Sequence, residues 1–173
     1  IGSPPGPPAH LHREADTLDA PTVRRLAQQL GVANETLWAL ATNTIESLKA
    51  AMRFLTETLT YNDFHWTNLA LTRQRTSTRQ AIVFDYHLLG IGPAASDYRN
   101  VLSGLEGQAR AAFRSTYGPI DERAALLDAP VALLYSLSVA VGGPRFPIWG
   151  ERCLQSVRDG TFERSLRQAL SGL

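Results

Sequence analysis

Tyr61-Asn62-Asp63-Phe64-His65-Trp66-Thr67-Asn68 and Ala81-Ile82-Val83-Phe84-Asp85-Tyr86 are the two stretches from which the rest of this chain can be read. The first is polar and carries an aspartate five residues before an asparagine. It lies between Leu59-Thr60-Tyr61 and Asn68-Leu69-Ala70-Leu71-Thr72, both short and β-prone. The polar run Arg73 to Gln80 has the composition of an exposed hairpin turn. Ala81-Ile82-Val83-Phe84 is continuously apolar and reads as a buried strand, with Asp85 at its end. A carboxylate at the end of a buried strand is held with its head toward a cleft, which is how a fold fixes a divalent cation.

Outward from this small β element the patterns are helical. Asp19 before Pro21 is a helix start, a carboxylate to cap free amides and a proline in the first turn, with Gly31 as the stop. Asn34 opens a second helix. In it Leu37, Leu40, Ala41, Ile45, Leu48, Met52 and Leu55 recur at helical spacing as one apolar stripe, ending at 56–58. Gly90-Ile91-Gly92-Pro93 reads as a break. Helices are then expected at 95–115, at 121–142 with Pro130 as a point of interruption, and at 147–158 and 161–171. Residues 1–9, with four prolines and two glycines, read as a linker or disordered segment, and 10–173 as one predominantly helical lobe. The expected fold class is α+β and mostly α-helical.

Composition narrows the function. The 173 residues carry 17 basic and 16 acidic side chains, a formal net charge of +1, and no charge run that would suit nucleic acid. A single cysteine, Cys153, excludes a disulfide framework and a cysteine-based zinc cluster. No apolar run is read as approaching the roughly 20 residues that span a bilayer, so neither a membrane nor a nucleic acid is expected as partner, and the expected location is cytoplasmic. Sixteen of the basic residues are arginines, leaving Lys49 as the one lysine. It falls inside the second helix and reads as a solvated surface residue.

An aspartate-to-asparagine loop followed by a strand-terminal aspartate is a phosphoryl-transfer layout, in which one carboxylate receives an alcohol proton while an amide oxygen and a second carboxylate hold magnesium. The loop 62–68 resembles the H-G-D-x-H-x-x-N catalytic loop of the aminoglycoside phosphotransferase and choline kinase superfamily. Ala81 to Tyr86 resembles that family's metal-binding strand, and Gly92-Pro93-Ala94-Ala95-Ser96-Asp97 its G-P-x-x-x-D element. The three motifs keep the family's order and span about 59–102. The resemblance implies the C-terminal lobe of a protein-kinase-like fold, with a small β-hairpin element carrying the catalytic loop. It implies a kinase that moves the γ-phosphoryl group of ATP or GTP onto the hydroxyl of a small-molecule acceptor. Asp63 would be the catalytic carboxylate, and Asn68 and Asp85 the Mg2+ ligands that bridge the nucleotide. Asp97 would brace the loop backbone, and His65 would pack and hydrogen-bond.

Two departures stand against that pattern. Tyr61-Asn62 replaces the His-Gly pair before the aspartate; asparagine tolerates unusual backbone angles, which keeps the loop feasible. The N-terminal lobe, with its phosphate-contacting lysine and paired glutamate, has no counterpart before residue 59, so it is expected to be a missing partner and the isolated lobe a poor nucleotide binder. Two alternatives stay open. One is a non-catalytic kinase-like binding lobe. The other is a metal-dependent hydrolase using the triplets Asp63-Phe64-His65 and Asp85-Tyr86-His87.

Overall fold

In a computed structural model of the chain, residues 11, 13–32, 34–73 and 80–173 are described. They fall into two compact units: Thr56–Ile120, and Arg13–Leu55 together with Asp121–Leu173. The linker expected at 1–9 and most of the turn expected at 73–80 lie outside the described residues.

The second unit is helical. It holds α1 (Ala20–Leu30), α2 (Glu35–Met52), α5 (Glu122–Gly142), α6 (Ile148–Arg158) and α7 (Thr161–Ser171). Asp19 caps α1 by accepting from Thr22 N at 2.7 Å, and Gly31 ends it with a left-handed backbone at φ 60°. Asn34 caps α2 through Leu37 N at 3.0 Å. The apolar stripe of α2 supplies Leu37, Ala41, Ile45 and Leu48 to a core shared with Leu127, Val131, Leu134 and Leu137 of α5 and Phe162 and Leu166 of α7.

Three expectations are corrected here. Lys49 is not a solvated surface residue: only 11% of its side chain is exposed, and Nζ donates to the Leu18 carbonyl at 2.7 Å while pairing with Glu46. Burial of its stem along the apolar stripe explains this. Helix α5 runs unbroken through Pro130, because burying both sides of the proline outweighs the one backbone bond it forgoes. By length and composition α5 is also apolar enough to cross a membrane, where the sequence was read as holding no such run; half of that apolar stretch is buried inside the protein, in the core just described.

The first unit positions the site. Strands β1 (Glu57–Thr60) and β4 (Gly90–Pro93) pair antiparallel, Thr60 opposite Gly90 and Glu57 opposite Pro93. Strands β2 (Leu69–Leu71) and β3 (Ala81–Val83) form a second antiparallel pair, with Leu69 opposite Val83. The segment 90–93, read as a break, is therefore a strand; pairing with β1 overrides the poor strand propensity of glycine and proline. The expected buried strand 81–84 is a short hairpin arm whose Ile82 and Phe84 are exposed. The helix expected over 95–115 is two, α3 (Ala94–Gly104) and α4 (Gly107–Tyr117), split where Leu105 and Glu106 turn extended.

Candidate active site

Strand β1 delivers the chain to the loop at Tyr61. Asn62 takes a left-handed backbone, φ 60°, which asparagine reaches at lower cost than most residues. Its own side chain holds it there: Nδ2 donates to Thr60 Oγ1 at 2.9 Å and to the Leu88 carbonyl at 3.3 Å. Asn100 Nδ2 donates to the Asn62 carbonyl at 3.0 Å. In the first turn of α3, the Asp97 carboxylate accepts from Tyr61 N at 3.0 Å and from Asn62 N at 2.9 Å. Asp97 thus braces the loop backbone, in the place the family pattern gives it. The end of α3 comes close as well, since a side-chain carbon on Gly104 would lie 3.3 Å from the Phe64 carbonyl oxygen.

The loop's polar side chains meet each other. Buried Asn68, at the end of a 3-10 turn (Trp66–Asn68), donates Nδ2 to Asp63 Oδ2 at 2.6 Å and to the Asp63 carbonyl at 3.3 Å. Phe84 N donates to the Asn68 carbonyl at 3.1 Å, so the β3 arm is tied to the loop immediately before Asp85. The Tyr61 hydroxyl closes the same connection from the other side by donating to the Phe84 carbonyl. Asp85 also has a left-handed backbone, φ 67°, turning the chain after β3. Ligating atoms of Asp63, Asp85 and His87 all lie within 4.8 Å of one another. The site is open: Asp63 is half-buried, while Asp85 and His87 are exposed. The expectation that Asp85 ends a buried strand is therefore corrected; backbone curvature and the two ties to Phe84 hold it instead.

Two carboxylates, an imidazole and a neighbouring amide are a donor set suited to a divalent cation. Asp85 and Asn68 would hold it, with Asp63 alongside through its contact with Asn68. His65 Nδ1 lies 2.8 Å from Thr67 Oγ1, and the cluster of ligating atoms found among the described residues is Asp63, Asp85 and His87, not the four ligands of the two Asp-x-His triplets.

The sequence reading missed the link made by Tyr61, which spans 23 residues, and the supporting amides of Asn62 and Asn100. The one available signal for Tyr61 was its place in the motif, where the family's histidine stands. Burial raises the Tyr61 phenol above its ordinary pKa, and the charges of Asp63 and Asp85 push it the same way, so it stays a protonated donor.

Comparison with known proteins adds one finding. No curated protein and no solved structure matches the chain, but the model of the phosphotransferase enzyme family matches residues 2–128. That match covers most of the chain and contains the whole loop, both aspartates and the Asp97 brace. Mostly helical, with small antiparallel strand pairs as in the C-terminal lobe of a kinase-like fold, the chain belongs to the phosphotransferase enzyme family.

Proposed function

We propose that the chain contributes the catalytic loop of a small-molecule kinase, which transfers the γ-phosphoryl group of ATP or GTP to an alcohol hydroxyl. The observation that carries this reading is the meeting of Asp63, Asn68 and Asp85 on a loop braced by Asp97. Asp63 accepts the acceptor's hydroxyl proton as the new oxygen–phosphorus bond forms and the bond to the nucleotide's bridging oxygen breaks, releasing nucleoside diphosphate. Asn68 fixes the Asp63 carboxylate through the 2.6 Å bond to Oδ2. Asp85 and Asn68 would hold Mg2+, which when bound neutralises charge on the phosphates. Lys49 does not serve as a phosphate ligand on this reading, because its ammonium is committed to the Leu18 carbonyl. The nucleotide's remaining phosphate contacts would come from a kinase-type N-terminal lobe as partner, and the location would be cytoplasmic.

The test is phosphoryl transfer by a polypeptide that unites this chain with such a lobe, assayed against a panel of aminoglycosides, amino alcohols and sugars. Asp63→Asn is expected to lower turnover by about 10^2- to 10^4-fold, the range for a positioned general base. Undiminished turnover in that variant would remove Asp63 from the mechanism, and nucleotide binding without transfer to any acceptor would favour a binding lobe.

A further inference from the structure

His87 belongs to neither the aspartate pair nor the loop asparagine, yet it sits in their midst. Its Nδ1 is 2.6 Å from Asp85 Oδ1, and its ligating nitrogen is within 4.8 Å of those of Asp63 and Asp85. The left-handed turn at Asp85 produces this, bending the chain so that residues 85 and 87 present their side chains to the same place. Stability does not account for the arrangement. The two side chains are 58% and 52% exposed, and an ion pair in that much water contributes little. An exposed imidazole 2.6 Å from one carboxylate and within 4.8 Å of a second is instead an arrangement that can close on a metal ion, with positions left for substrate or solvent.

The donor set then says which ion. Magnesium favours an all-oxygen octahedral shell and exchanges its waters reluctantly. An imidazole nitrogen favours first-row transition ions, and carboxylates still suit manganese among them. We propose that His87 is a third protein ligand at the phosphoryl-transfer site and shifts its preference from Mg2+ toward a transition divalent cation, with Mn2+ as the working ion. The proposal rests on the reading of Asp63 and Asp85 as that site.

The experiment titrates the whole chain with Mn2+ in the absence of nucleotide, followed by electron paramagnetic resonance, with Mg2+ as competitor. Bound Mn2+ is expected to show nitrogen hyperfine coupling and to be held at least about tenfold more tightly than Mg2+. His87→Gln keeps a donor for Asp85 but offers a poor ligand to a transition ion. It should abolish the coupling and weaken Mn2+ binding by about 10- to 100-fold, with Mg2+ binding changed by no more than about twofold. Absence of Mn2+ binding, coupling that survives in His87→Gln, or an equal loss for both ions would each overturn the proposal, the last marking His87 as a brace for Asp85. The outcome is separable from the kinase reading. Nitrogen coupling reports His87 whether or not phosphate moves, whereas Asp63→Asn reports transfer whichever ion is bound.

Discussion

Tyr61 occupies the position where the family pattern has histidine, and it performs a task that either side chain can do, donating a hydrogen bond across the base of the site. Its hydroxyl reaches the Phe84 carbonyl, one residue before Asp85, while its ring packs edge-on against Phe64 at 4.9 Å and Tyr86 at 5.8 Å. Deleting the hydroxyl removes one of the two ties between the loop and the turn at Asp85 without opening a cavity. Tyr61→Phe is therefore expected to cost about 1 kcal/mol of stability in denaturant titration, a typical net hydrogen-bond contribution. Transfer should fall through kcat rather than KM, and Tyr61→His should recover part of it. At this scale legibility divides by distance along the chain. Asp63, Asn68, Asp85 and Asp97 could be singled out because each is a chemically distinctive group at a motif position. The Tyr61 bond could not, because it exists only once the β3 arm has closed over the loop.

The N-caps and apolar stripes of the long helices are local properties and were legible, but the end of α2 was not: expected at 56–58, the helix stops at Met52, and Glu57–Thr60 pairs as β1 instead. Asp19 and Asn34 each offer a side-chain oxygen to an amide three residues on, and that contact needs no tertiary information. Replacing Asn34 by alanine leaves the Leu37 amide without its partner at the start of the helix that supplies much of the core. A loss of about 1 kcal/mol is expected for Asn34→Ala in thermal or denaturant unfolding, with Asn34→Ser largely restoring it. The strands were legible only in part, for a physical reason. In β3, three apolar residues look like a core strand, yet on a two-stranded hairpin there is too little structure to bury both faces, and Ile82 and Phe84 face outward. Conversely, Gly90 to Pro93 carries every sign of a break and is a strand because β1 supplies its hydrogen bonds. Short strands take their identity from a partner, and composition does not name the partner.

Across the whole chain, the division of labour follows from which segments share a core. The candidate site lies within Thr56–Ile120, where the buried residues among those described are few: Thr60, Tyr61, Asn68, Gly90, Pro93, Ala95, Ser96 and Val101. The large apolar cluster belongs to the other unit, assembled from residues before and after that insertion. Folding energy and chemistry are thus carried by different stretches of sequence, which is why an apolar-periodicity reading recovers the helices and only motif order recovers the site. The same separation makes an asymmetric prediction for two leucine truncations. Leu134 is fully buried on α5, among side chains contributed by several helices, so Leu134→Ala should cost about 2–5 kcal/mol by lost transfer energy and a residual cavity. Leu71 on β2 is 61% exposed, so Leu71→Ala removes little buried surface and should stay within about 0.5 kcal/mol. Denaturant unfolding followed by far-ultraviolet circular dichroism, which reports the helices, measures both. Equal losses would contradict the placement of the core, because a leucine on an exposed hairpin arm has no cavity to leave behind.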